Sequence, residues 1–326
     1  MNRLNQILVG LLVVQLVVVG ILFWPCSTAS VEGQSLFPGV TSDGIVGLTI
    51  TGPDGQAVHL AKRDGKWVLP GADDYPVLED KVPTLFGKIT ALKAERLVTQ
   101  TSGSHKRLRV AEDSYERLIE FELSDGALHR LYLGSSPSYS ATHIRAEGQD
   151  QVYLTSNLSA QDTGFTAADW VDRAYLSIAR DQIVALTLEN KNGRSEFEKS
   201  GDAWTMKGLA EGDIPNQTSV ESLVSRAASV TLTEPLGKSE QEGYRLQQPS
   251  AVVTIRTHSQ EAGDKTVTLR VGAKDPAENS YVVISSESPY YVRVSEFWAK
   301  DLFESARDSF LQLPPTPTPQ VTPGNP

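Results

Sequence analysis

The chain has 326 residues, a formal net charge of -10 and 40% hydrophobic residues, which suits two globular domains whose cores need no disulfide framework. Beyond the first apolar segment 29 basic residues stand against 40 acidic ones, and this argues against a broad nucleic-acid surface, because neutralising phosphates needs clustered Lys and Arg. The single cysteine, Cys26, excludes an intramolecular disulfide and a cysteine-built metal cluster.

In chain order, residues 1–30 read as a cytoplasmic stub and transmembrane anchor. Ile7 to Trp24 (ILVGLLVVQLVVVGILFW) carries no charge and only Gln15 as a polar residue, and a helix of about 20 residues crosses a hydrocarbon core. Phe23 and Trp24 fit an interfacial aromatic belt, and Arg3 before the segment puts the N-terminus in the cytoplasm and the rest outside. Two alternatives stay open: a cleaved signal with Ser27-Thr28-Ala29 at its end, and a lipoprotein signal on Cys26, for which Trp24-Pro25 is a poor match. All three readings put the remaining chain outside the cytoplasm.

Residues 31–44 read as a short tether, and from Ile45 the chain is written twice. IVGLTITGPDGQAVHLAKRDGKW from Ile45 is answered by IVALTLENKNGRSEFEKSGDAW from Ile183. Leu48 matches Leu186, Gly55 Gly193, Trp67 Trp204, Pro76 Pro215, Leu108 Leu246 and Gly134 Gly272, at offsets of 137 to 139. The repeats are bounded as 45–180 and 181–313. In each, short turn dipeptides such as Asp54-Gly55, Asp64-Gly65, Asp125-Gly126 and Asn192-Gly193 separate strands of alternating character. These include Tyr115 to Leu123, Thr142 to Ala146 and Val152 to Leu154, then Val253 to Thr257, Val267 to Val271, Tyr281 to Ile284 and Tyr290 to Val294.

One amphipathic helix is expected per repeat. The first carries Leu78, Val82, Leu85, Phe86, Ile89 and Leu92, with Asp80 as N-cap and Pro83 in the first turn. The second carries Val220, Leu223, Val224, Ala227 and Val230, with Thr218 and Glu221 as a capping box. Aromatic segments around Phe165, Trp170 and Tyr175, and around Phe297, Trp298 and Phe303, are expected to close each repeat as short helices. Residues 314–326 (PPTPTPQVTPGNP) read as a disordered Pro/Thr-rich tail. The fold class is therefore α+β, two tandem repeats of mostly antiparallel sheet behind an N-terminal transmembrane helix.

These features resemble the family known as domain of unknown function 4340. The resemblance rests on residues 45–313: the strand, turn and Trp of Ile183 to Trp204, the segment Tyr244-Arg245-Leu246-Gln247-Gln248-Pro249, the strand ending in Gly272, and the hairpin Tyr281 to Val294. Arg245 stands where the family has Gly, and Arg107-Leu108 lacks the Pro. The resemblance implies a membrane-anchored extracytoplasmic protein, some relatives being encoded beside ABC-transporter or gliding-motility components. It implies no catalytic residues.

The residues themselves point the same way. His59, His105, His129, His143 and His258 have no paired ligand spacing, no Gly-x-Ser-x-Gly elbow or phosphate loop is present, and Glu120 and Glu122 read as a solvated strand face. Asp73-Asp74 falls short of a calcium shell, and His105-Lys106-Arg107-Leu108-Arg109 reads as a solvated loop. Trp67 and Trp204 read as core, while Tyr281, Tyr290 and Tyr291 are the candidates for a recognition surface. Asn157 and Asn216 begin glycosylation acceptor patterns that matter only in a eukaryotic secretory host. No catalytic, cofactor or metal residues are expected. The expected function is a protein-binding envelope module serving an ABC-type transport or surface assembly, with glycan binding as the alternative and an enzyme of scattered residues as the third reading.

Overall fold

The structure is a computed structural model and describes residues 33–260, 263–275 and 277–312. The expected anchor, the cleavage and lipidation alternatives and the Pro/Thr-rich tail lie outside these residues. Among the described residues no helix is long and apolar enough to cross a membrane.

The first sheet contains β1 (Ile45–Thr51), β2 (Ala57–Arg63), β3 (Lys66–Leu69), β4 (Tyr75–Pro76), β5 (Leu97–Thr99), β8 (Arg117–Leu123), β9 (Leu128–Leu133), β10 (Thr142–Ala146) and β11 (Val152–Thr155). A small hairpin of β6 (Val110–Ala111) and β7 (Ser114–Tyr115) lies beside it. The order is β4-β3-β2-β1-β8-β9-β10-β11-β5, with antiparallel neighbours throughout. Strand β12 (Ala174–Ser177) leads out of it.

The second sheet uses β13 (Ile183–Asn190), β14 (Gly193–Ser200), β15 (Ala203–Met206), β17 (Glu234–Gly237), β18 (Ala251–Ser259), β19 (Gly263–Asp275), β20 (Ser280–Ser285) and β21 (Tyr291–Ser295). Its order, β15-β14-β13-β18-β19-β20-β21-β17, places each strand as the first sheet places β3-β2-β1-β8-β9-β10-β11-β5. The expected mostly antiparallel α+β architecture is present.

Turn chemistry explains the hairpins. Asp64 and Gly65 both have positive φ, the condition for a two-residue turn whose twist suits its strands. Residues of alternating burial then point one face inward: in β8, Ile119 and Phe121 are fully buried. Helix α1 (Lys81–Thr90) covers that face with Val82, Leu85, Phe86 and Ile89. Phe86 meets Trp67 at 5.6 Å and Phe121 at 6.2 Å between ring centroids. Pro83 falls in the first turn, where its missing N–H costs nothing, and Asp80 is the N-cap but gives no side-chain bond.

Helix α3 (Gln217–Ala228), which follows the single turn α2 (His105–Leu108) in the chain, buries Val220, Leu223, Val224 and Ala227 over the second sheet. Its cap corrects the expected Thr218/Glu221 box: Asn216 is the N-cap and accepts from the Ser219 N–H, which puts Thr218 inside the helix. The closing elements differ as well. Helix α4 (Glu296–Glu304) forms as expected, but the segment around Trp170 makes one 3-10 turn (Ala167–Asp169) and then the strand β12. That strand pairs with β16 (Ser229–Thr231), which directly follows α3, in a separate two-stranded sheet. In the stretch expected as a tether, Leu36 and Phe37 are buried, Phe37 lying 5.2 Å from the Phe121 ring.

One local device occurs twice. Arg109 and Arg245 both adopt the left-handed conformation, immediately after Leu108 and Tyr244. Gly134 lies against the Leu108 carbonyl oxygen and Gly272 against that of Tyr244, so closely that any Cβ would overlap it. At this bend Tyr244, two residues before Leu246, stands where Leu108 stands in the first sheet. The basic run around it is a helical turn with His105 and Leu108 buried rather than a solvated loop.

Candidate docking edge

A sheet leaves unpaired N–H and C=O groups along its outermost strands, and these are templates for another chain unless covered. The two sheets have four such edges.

Three are covered from within. Strand β4 closes β3, and the Val77 N–H continues the cover by donating to the Trp67 carbonyl at 3.1 Å. At β15 a side chain supplies the cover. The Gln217 Nε2 donates to the Trp204 carbonyl and its Oε1 accepts from the Trp204 N–H, both at 2.8 Å. An amide can do this because it carries one acceptor and a donor, as a peptide group does. Trp67 and Trp204 are both buried, as their matched positions suggested.

The outer edge of β17 and the outer side of β4 meet in a seam between the sheets. The Asp73 carboxylate accepts the Lys238 backbone N–H at 2.6 Å, and a Cβ on Gly237 would lie 2.6 Å from that oxygen. Asp73 and Asp74 hold left-handed backbone here, and Asp74 pairs with Arg63 at 2.9 Å. The Tyr290 ring stands 4.6 Å from Tyr75, its hydroxyl donates to the Asp74 carbonyl, and the Lys238 ammonium lies over its face at 4.8 Å. Tyr175 of β12 donates to the Tyr290 carbonyl at 2.7 Å and accepts the Ser285 N–H at 2.9 Å. Burial, with Tyr175, Asp172 and Tyr290 nearby, pushes the Tyr75 phenol up to about 12.

The fourth edge is β5. Its pairing with β11 places Thr99 opposite Val152 and Leu97 opposite Tyr153, with a register shift between them. Strand β17 meets β21 in the same way, Gly237 opposite Tyr291 and Pro235 opposite Val292, again with a shift. The surroundings differ. Pro235 and Gly237 are buried at the seam, whereas Leu97 and Val98 are 43% and 42% exposed. Among the described residues β11 is the one strand paired with β5. Arg96, directly before β5, is exposed, as is Glu95 beside it.

The sequence-predicted recognition tyrosines lie elsewhere, and this is a correction. Tyr281 is buried against Phe303 at 4.7 Å, and Tyr291 is buried against Tyr244 at 5.6 Å with its hydroxyl donating to Glu240. Tyr290 is held in the seam. Strand alternation promised one outward-facing tyrosine, but both faces are packed at this end of the second sheet.

Other candidate side chains are engaged locally. His105 donates to the Asp150 carbonyl, His143 to the Ser135 carbonyl, and Glu120 pairs with Arg130 at 2.6 Å. No group of three or more His, Cys, Asp or Glu suited to a metal occurs among the described residues. A cleft of about 490 Å³ lies at the start of α1, lined by Leu78, Lys81 and Lys88, with Lys88 paired to Asp162 at 2.5 Å.

Residues 67–225 match the domain of unknown function DUF4340. The matched segment runs from Trp67 in β3 to Ser225 in α3, and so holds the Asp73 loop, β5, β12 and the Gln217 clip. It is narrower than the 45–313 stretch on which the sequence resemblance rests. No match was found among curated proteins or solved structures.

Proposed function

We propose that the chain is a non-catalytic, membrane-anchored extracytoplasmic module of two like units, which docks a partner protein on the free edge at β5. The observation that carries this reading is the contrast between the two like-placed edges. Pro235 and Gly237 are covered by a neighbouring unit, while Leu97 and Val98 offer apolar side chains to solvent and β5 has β11 as its one partner strand among the described residues. An extended segment adding to such an edge gains main-chain hydrogen bonds for affinity and side-chain contacts for specificity. The common strand order of the two sheets and the paired Arg–Gly device support a duplicated unit. The apolar stretch Ile7 to Trp24 supports the anchor. Within the DUF4340 resemblance, the partner is a component of an ABC-type transport or surface assembly.

Affinity capture from solubilised membranes tests the reading when the wild type is run beside Leu97→Asp/Val98→Asp. A partner held by the wild type and released by the double variant is expected. Equal recovery by the two would overturn the edge as the docking site.

A further inference from the structure

For both sheets, the segment that leads into the first strand lies beside the chain just after the covering helix. In the second sheet that segment is β12, which pairs with β16 after α3. There the Leu232 N–H donates to the Arg173 carbonyl at 2.9 Å, two residues before β17 begins. In the first sheet Ser35 stands opposite Lys93, after α1. The Leu36 N–H donates to the Leu92 carbonyl at 2.9 Å, and the Ala94 N–H to the Gln34 carbonyl at 3.0 Å. Ala94 stands three residues before Leu97, a span of at most about 11 Å. Each sheet therefore takes in its chain beside the edge strand that ends its order, β17 in one and β5 in the other.

What lies upstream of the lead-in differs. Ahead of β12 is the first sheet, and its Asp73 loop covers β17 by accepting the Lys238 N–H. Ahead of Gly33 are residues 25–32 and then the apolar stretch Ile7 to Trp24. Even fully extended, the chain from Trp24 to Gly33 reaches at most about 32 Å. With that stretch as the anchor, β5 is held on the membrane side of the body. The place that the first sheet fills for β17 then falls, for β5, to something at the membrane surface. Lipid does not suit it, because the bare N–H and C=O groups of a sheet edge find no partners among acyl chains. An extended peptide supplies those partners and also packs against Leu97 and Val98.

We propose that the partner at β5 is an integral membrane protein, which meets Leu97 and Val98 with an extended segment adjoining the extracytoplasmic end of one of its transmembrane helices. This rests on the anchored-module and docking readings above. The short lead-in holds the edge where such a segment leaves the bilayer.

A photo-cross-linking side chain at Val98 of the full-length chain tests this, with a protease recognition sequence inserted between Ser30 and Val31. Membranes are irradiated first and cleaved afterwards, so that the body comes off its own anchor. Unreacted body is expected in the supernatant. The Val98 adduct is expected to stay in the membrane pellet, heavier by the mass of a partner protein. Its cross-linked peptide is expected within about ten residues of a transmembrane segment, which matches the reach of the chain's own tether. Adducts released to the supernatant, or a cross-linked peptide in a domain remote from any transmembrane segment, would overturn the proposal and leave docking at β5 standing. Adducts that gain only the mass of a lipid would overturn it in favour of direct contact with the bilayer. No adduct of any kind would remove docking at β5 as well.

Discussion

The Asp73 carboxylate and the Lys238 backbone N–H, 2.6 Å apart, join a loop of the first sheet to the outer edge of the second. The bond takes an N–H that would otherwise project from an open edge. Tyr175 of β12 adds a second tie beside it, bridging the Tyr290 carbonyl and the Ser285 N–H. Tyr175→Phe leaves both backbone groups without their partner in a half-buried place, which costs about 1–3 kcal/mol. Urea unfolding is expected to show that loss; an unchanged midpoint would mean that water replaces the hydroxyl.

The same seam sets an alkaline limit on stability. The Tyr75 phenol titrates at about 12 in the folded chain against 10.0 when free, chiefly through burial. A raised folded pKa gives a stabilisation that is whole below pH 10 and lost as pH rises through about 12. Thermal unfolding should therefore fall between those values, and Tyr75→Phe should flatten that part of the profile. A variant with the same alkaline slope as the wild type would remove Tyr75 as the cause.

Gly134 and Gly272 are predicted to tolerate no side chain. A Cβ on either would overlap a backbone carbonyl oxygen, which cannot rotate aside as a side chain can. Each Ala substitution should cost about 3 kcal/mol, toward the upper end of overpacking penalties. Chemical denaturation of Gly134→Ala and Gly272→Ala reads this directly, with Gly103→Ala, which meets nothing within 4 Å, as the neutral control.

Arg245 carries the opposite prediction. Its φ of 51° is a conformation that disfavours residues with a Cβ and suits glycine. Arg245→Gly should gain about 0.5–1 kcal/mol, the left-handed penalty less the entropy that glycine loses on folding. Arg109→Gly should gain less, because Arg109 also pairs with Glu116 at 2.5 Å. A loss of stability on Arg245→Gly would show that the guanidinium makes a contact worth more than the backbone strain.

What the sequence disclosed follows the range of each interaction. Turns, the alternating strands and the apolar stripe of α1 depend on neighbours a few residues apart, and these were legible from Asp64-Gly65, Ile119-Phe121 and Val82-Phe86. Trp67 and Trp204 were legible as core because they recur at the same place after a turn. The tyrosines misled, since which strand face is covered is decided by elements more than a hundred residues away, as with Tyr175 and Tyr290. The capping of α3 by Asn216 lay two residues from a better-looking motif. The candidate edge was missed because β5 is only three residues long and bulged, too short for any alternation to register. Its one signal was an apolar pair, Leu97-Val98, directly after Arg96. Its meaning depends on the covered strand β17, which only the pairing of strands reveals.

Whether protein covers β5 in the cell decides most. A photo-cross-linking side chain at Val98 of the full-length chain, compared with one at the exposed Leu128 on the same sheet, tests this most directly. Discrete higher-mass adducts are predicted from position 98 and none from 128. No adduct at 98, or the same diffuse products at both positions, would contradict docking at β5.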